Sequence, residues 1–149
     1  MKVFANTKTS IKGHTNLIIH HKQSFNDLPK WFQKAKTEFA RVQMIDGELV
    51  WFSGRWFNGT WDGGYWKDGV WENGKWLNGT FRYGFWINGV WVNGTFIKGS
   101  WHDGVWCNGV WECGDWYRGL WVKGTCKPSK KHKGRMCLGF NEMGKPILA

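Results

Sequence analysis

Trp71-Glu72-Asn73-Gly74-Lys75-Trp76-Leu77-Asn78-Gly79-Thr80 spells two copies of a five-residue unit, Trp-x-x-Gly-x, and this unit decides the fold. The unit runs from Trp51 to Thr125, fifteen copies with no insertion or deletion. Its fourth position is Gly in every copy, and its first is Trp in thirteen copies and Phe in two, Phe81 and Phe96. Gly at every fifth residue excludes a helix. Position three is Asn six times and Asp twice, which favours a tight turn before the Gly. Position five is Thr or Val in eight copies, which suits extended chain. Half of the 149 residues thus form a one-dimensional array of short strands and turns. Such an array points to a rigid scaffold or binding surface rather than a catalytic pocket.

Two architectures compete for this pattern. Trp71-Glu72-Asn73-Gly74-Lys75-Trp76 reads locally as a hairpin, so one candidate is a single-layer β-meander of hairpins. A uniform meander with two-residue turns would leave three-residue strands, whose first and third residues face the same neighbour. The turns at both ends require opposite neighbours, so an odd period works against it. A β-solenoid has no such conflict. In a quadrilateral solenoid each pentad is one side, and fifteen pentads make 3.75 coils, a stub roughly 18 Å long at the usual strand spacing. The expected fold is therefore an all-β repeat array of this kind.

Gly59-Thr60-Trp61, Gly89-Val90-Trp91 and Gly104-Val105-Trp106 put a small residue two places before a large apolar one. In this the array resembles the pentapeptide-repeat family, which implies a four-sided coil with both residues inward. Gly99-Ser100-Trp101-His102-Asp103-Gly104 is also similar to the Gly-x-Trp-x-x-Gly of membrane-occupation-and-recognition-nexus repeats, whose period is longer. The uninterrupted run over residues 51–125 is similar to Trp/Gly arrays of uncharacterised tailed-phage proteins, a resemblance that carries no mechanism.

The flanks divide the chain into three expected parts: a cap over residues 1–50, the array over 51–125 and a basic tail over 126–149. A solenoid needs caps, because its open ends expose strand edges and core. In residues 1–50, Asn26-Asp27 before Pro29 is a helix start. Leu28, Trp31, Phe32, Ala35, Phe39 and Val42 recur at three and four, so an amphipathic helix is expected from about Leu28 to Val42. The net charge of +10 is uneven: +4 in residues 1–50, +1 in the array and +5 in residues 126–149. Lys127, Lys130, Lys131, Lys133 and Arg135 place five cations within nine residues. They suit an acidic partner, or phosphates in a sequence-blind and salt-sensitive mode. No segment approaches the ~20 apolar residues of a membrane span, and residues 1–8 lack the apolar core of a signal peptide. The expectation is a cytoplasmic protein with reduced thiols.

No arrangement of side chains points to catalysis. The acids of the array, Asp68 and Asp103 among them, fall at turn or outward positions, and the five His form no triad or metal spacing. Cys126, His132 and Cys137 offer three metal donors without a fourth, so no metal or other cofactor is expected. Leu77, Ile87, Val92 and Ile97 make position two apolar in the middle of the array, a candidate contact patch. The Trp row is read as core; if exposed, it would stack sugar rings or unpaired bases. The function expected from the sequence is a non-enzymatic structural or interaction scaffold, such as a component of a virion-like assembly. Its partner is a protein or another copy of itself, with no membrane and no small-molecule substrate. Nucleic-acid binding through the basic ends is the alternative, and carbohydrate or single-strand binding by an exposed Trp ladder the second.

Overall fold

Strands of the array pair in parallel with strands fifteen residues away, Trp51 beside Trp66 and Trp56 beside Trp71. Each coil therefore takes three pentads, and the array is a triangular β-solenoid of about 5 turns. The solenoid expected from the sequence is present; its four-sided cross-section and 3.75 coils are corrected to three sides. The structure, a computed structural model, describes residues 7–127 and 137–148. In chain order these form β1 (Thr7–Ile11), β2 (His14–Ile19), α1 (Lys30–Gln33), β3 (Lys36–Ile45), β4 (Glu48–Asn58), β5 (Thr60–Trp66), β6 (Val70–Trp71) and β7 (Lys75–Phe81). Two-residue strands follow every five residues from β8 (Phe85–Trp86) to β16 (Thr125–Cys126), and β17 (Cys137–Phe140) and β18 (Pro146–Leu148) close the end.

The size of the indole sets the number of sides. In the first coil Trp51, Trp56 and Trp61 contact one another edge to face, with centroids 6.0, 5.7 and 6.5 Å apart. Three rings thus fill a triangular section, each touching the other two. A square section would separate the diagonal rings and leave the axis underfilled. Successive coils superimpose the rings in three columns: Trp76 stacks on Trp91 at 4.9 Å and 5°, and Trp91 on Trp106 at 4.9 Å and 6°. Edge-to-face contact within a coil and stacking between coils are the two favoured aromatic geometries, here used together. The first-position rings from Trp51 to Trp106 are 0% exposed, and Trp111 and Trp116 nearly so. The indole ladder is core, which removes the exposed stacking surface for sugars or bases.

Two backbone hydrogen bonds per pentad knit the coils. The N–H after each ring donates to the ring residue's carbonyl one coil below, as Val92 to Trp76 at 2.7 Å. The position-five N–H donates to the Gly carbonyl below, as Val90 to Gly74 at 3.0 Å. At the corners Asn78 Oδ1 accepts from the Gly79 N–H at 2.9 Å, and Asp103 Oδ1 from Gly104 at 2.8 Å. Asn58 and Asp68 make the same local bond, which favours Asn and Asp at position three. The Gly lies against the indole of the coil below, and its missing Cβ leaves that ring its room, as at Gly79 and the Trp61 indole nitrogen. It turns the corner, and only one residue per pentad points inward.

The N-terminal segment caps the first coil, but not with the long helix expected. Among the described residues α1 spans only Lys30–Gln33, and Leu28–Val42 is mostly strand. β3 pairs antiparallel with β4 across an Asp46-Gly47 turn. Phe39, at φ 56°, interrupts that ladder where its register shifts between Glu38 and Arg41. The interruption buries Thr37, Ala40 and Val42 and leaves Phe39, a member of the expected helical stripe, 56% exposed. Trp31 lies 5.0 Å from Trp61, and Phe32 lies 6.3 and 6.2 Å from Trp51 and Trp56, so α1 covers the open end of the coil. His14 anchors α1 to β3: its ring is hydrogen-bonded to Thr37 Oγ1 at 2.7 Å and to the Gln33 carbonyl at 3.2 Å, and stacks on Phe32 at 4.7 Å. Burial holds its pKa below the usual value, against backbone hydrogen bonds that act the other way.

Phe140 closes the far end. It continues one column above Trp116 at 5.3 Å and 5°, and sits edge-on to Trp111 and Trp121 at 5.3 and 5.7 Å. Part of the segment expected as a basic tail is therefore a β cap.

Candidate functional site

In each pentad positions five and two flank the buried ring and point outward, so the solenoid presents three flat faces, each two residues wide. The fifteen-residue coil decides which residues share a face.

On the Trp91 face, Val90, Val105 and Leu120 are paired in register at position five. Leu77, Val92, Cys107 and Val122 climb beside them at position two, each N–H from Val92 onward donating to the ring residue below. Leu120 and Val122 are 51% and 57% exposed, and the others half-buried. From Leu77 upward every outward residue of these two positions is aliphatic or Cys. Asp62 and Lys75 lie at the lower, polar end of the same face. A shallow depression lined by Leu120, Trp121, Phe140 and Met143, with Asn141 and Glu142 among them, joins this face to the C-terminal cap.

The other faces differ. The Trp101 face carries an aromatic run, with Phe85 6.0 Å from His102, which stacks on Tyr117 at 5.1 Å. The Phe96 face carries Thr80, Thr95 and Thr125 in one column, broken by Val110. Its second column holds Lys67 over the Phe52 ring at 5.0 Å and the Lys127–Glu112 ion pair at 3.4 Å.

The apolar patch expected at Leu77, Ile87, Val92 and Ile97 is divided. Leu77 and Val92 are neighbours on the Trp91 face, while Ile87 lies on the Trp101 face and Ile97 on the Phe96 face. Residues ten apart stand on different sides of a three-sided coil, and residues fifteen apart on the same one. Sequence reasoning missed Val90, Val105, Leu120 and Val122. The signal that could have found them is the spacing of Phe81 and Phe96, the two exceptions to Trp: they are fifteen apart and stack at 4.8 Å. Of the basic cluster, Lys127 is exposed and paired with Glu112, an ion pair worth little at such a site. Lys130, Lys131, Lys133 and Arg135 lie outside the described residues, as does His132.

Among the described residues no three His, Cys, Asp or Glu side chains gather where they could hold a metal ion, and no helix is long and apolar enough to cross a membrane. Comparison with known protein families, with curated proteins and with solved structures gives no match.

Proposed function

We propose that the protein is a non-enzymatic structural and interaction module of a larger assembly, and that its aliphatic Trp91 face seats a protein partner. The observation that carries this reading is the segregation of outward residues. One face is free of charge from Leu77 up to Val122, although the array carries seven Lys or Arg and six Asp or Glu. Exposed apolar surface that is contiguous rather than scattered marks a contact site. Stacked rungs hold these side chains on a rigid, flat lattice, so little conformational entropy is lost when a partner covers them.

The size of the face bears on the partner. Three full rungs about 4.8 Å apart, with two outward residues about 7 Å apart on each, and Leu77 below them cover roughly 200 Å². A stable pairwise interface buries about 800 Å² on each partner. The face alone supports weak association of two copies, and a stable complex needs further contacts, which the cap depression and the basic segments supply. This fits a component held at several points better than a free-standing dimer.

A double substitution, Val92→Lys with Val122→Lys, is expected to abolish co-purification of the native protein partner while leaving the fold intact, as read by unchanged blue-shifted Trp emission. Thr95→Lys on the Phe96 face should leave capture unchanged. Capture that survives the double substitution contradicts the reading. Salt-sensitive retention on immobilised nucleic acid, lost on deleting residues 127–135, would move the function to nucleic-acid binding.

A further inference from the structure

Cys126 occupies the position at which a sixteenth unit would place its Trp. It sits in register on Trp111, at the top of the column that runs down through Phe96 and Phe81. A thiol in place of an indole leaves the last layer short of one ring, and Phe140 from β17 covers the neighbouring Trp116 column and meets Trp111 edge-on. β17 reaches it by pairing antiparallel with β16, and in that pairing the residue directly opposite Cys126 is Cys137. Both side chains are buried, at 4% and 2% exposure.

Directly opposed residues of antiparallel strands have Cα atoms about 4.5–5.5 Å apart, within the range that a disulfide spans. The two thiols also sense each other. Burial first, and then the Cys137 thiol as hydrogen-bond partner and neighbouring charge, push the Cys126 thiol above its usual pKa. In the reduced state the Cys137 thiol donates to the Gly139 carbonyl at 3.4 Å and the Cys126 thiol to the Lys127 carbonyl at 3.9 Å, so side-chain rotation without strand movement brings the pair together. Cys107 lies between Val92 and Val122 on the aliphatic face, and Cys113 is exposed at a corner; neither faces another Cys across a strand pair.

We infer that Cys126 and Cys137 are a redox-closable staple that locks the C-terminal cap, with its Phe140 plug, onto the last coil of the solenoid. The inference does not rest on the proposed function. The chemistry is thiol–disulfide exchange with a low-molecular-weight disulfide such as oxidised glutathione. One cysteine thiolate attacks the reagent and releases a glutathione thiolate; the second attacks the mixed disulfide and releases the other. The protein loses two protons and two electrons, and one oxidised glutathione becomes two reduced ones. The free thiolate is scarce in the folded cap, because burial disfavours it. The bridge therefore forms during folding or when the cap opens. Once formed, it is sheltered from reductant by the same packing. It closes the loop of residues 127–136 and removes the route by which β17 and β18 detach while the array stays folded.

The test is to refold the full chain in a reduced/oxidised glutathione buffer, alkylate it, map the peptides and record thermal unfolding. The expected product has a Cys126–Cys137 bridge, two free thiols instead of four and an unfolding midpoint raised by about 5–10 °C over the reduced protein. A variant with Cys107→Ser and Cys113→Ser should behave identically, and Cys137→Ser should show no shift. Four free thiols after refolding, glutathione adducts at Cys126 or Cys137, or bridges to Cys107 or Cys113 would overturn the pairing. A Cys126–Cys137 bridge that forms without raising the midpoint would overturn the stapling role.

Discussion

Gly79→Ala should lower the stability of the array by about 3–5 kcal/mol, a large share of the stability of an ordinary domain. Two costs combine at this corner. Gly79 has φ +121°, a backbone conformation that residues with a Cβ rarely adopt. A Cβ there would stand 2.6 Å from the Gly64 carbonyl oxygen of the coil below and 3.1 Å from the Trp61 indole nitrogen. Both neighbours belong to a stacked lattice, so neither moves without breaking the rung. Gly63→Ala separates the two costs. Gly63 has φ +110° but open space where the Cβ would go, so only the backbone strain remains, about 1–3 kcal/mol. Urea midpoints of the two variants measure the difference. Equal losses would show that coil stacking does not crowd the corner.

Trp91→Ala should cost at least as much. The ring is fully buried and stacked above and below, and it meets Trp86 and Phe96 edge to face at 5.6 and 5.9 Å. Its removal empties one third of a layer, and the flanking coils cannot collapse into the gap without breaking their hydrogen-bond ladder. The expected cost is about 4–5 kcal/mol, at the upper end for aromatic truncation. Trp91→Phe should cost far less, on the order of 1–2 kcal/mol. Phe already stands at two ring positions, and Phe81 and Phe96 stack on each other at 4.8 Å. Denaturant unfolding of both variants tests this, with an equal loss for Ala and Phe as the contrary result.

The parts of this structure written in the five-residue period were legible. Gly at each corner, the ring as core, the Asn or Asp before the turn and the solenoid itself all follow from single units. The number of sides does not, because a pentad has the same local geometry on a triangle or a square. Cross-section is settled by how many indoles can meet at the axis, a property of three residues ten positions apart at their widest. The error carried into the site: on a twenty-residue coil Leu77 stacks on Ile97, whereas here it stacks on Val92. In the cap, Leu28, Trp31, Phe32, Ala35, Phe39 and Val42 fall at helical spacing, yet the interruption at Phe39 breaks the alternation of β3 and leaves that ring exposed. The Asp46-Gly47 turn between β3 and β4 was the sequence sign of a hairpin.

The account stands on three pentads per coil, with the rings inside, and engineered cross-linking on the aliphatic face tests the coil directly. With Cys113, Cys126 and Cys137 replaced by Ser, Val92→Cys and the native Cys107 should form a disulfide readily under mild oxidation, because residues fifteen apart are neighbours in one column. Ile87→Cys with Cys107, twenty apart, should remain reduced under the same conditions. A bridge between residues 87 and 107, with none between 92 and 107, would contradict the triangular coil.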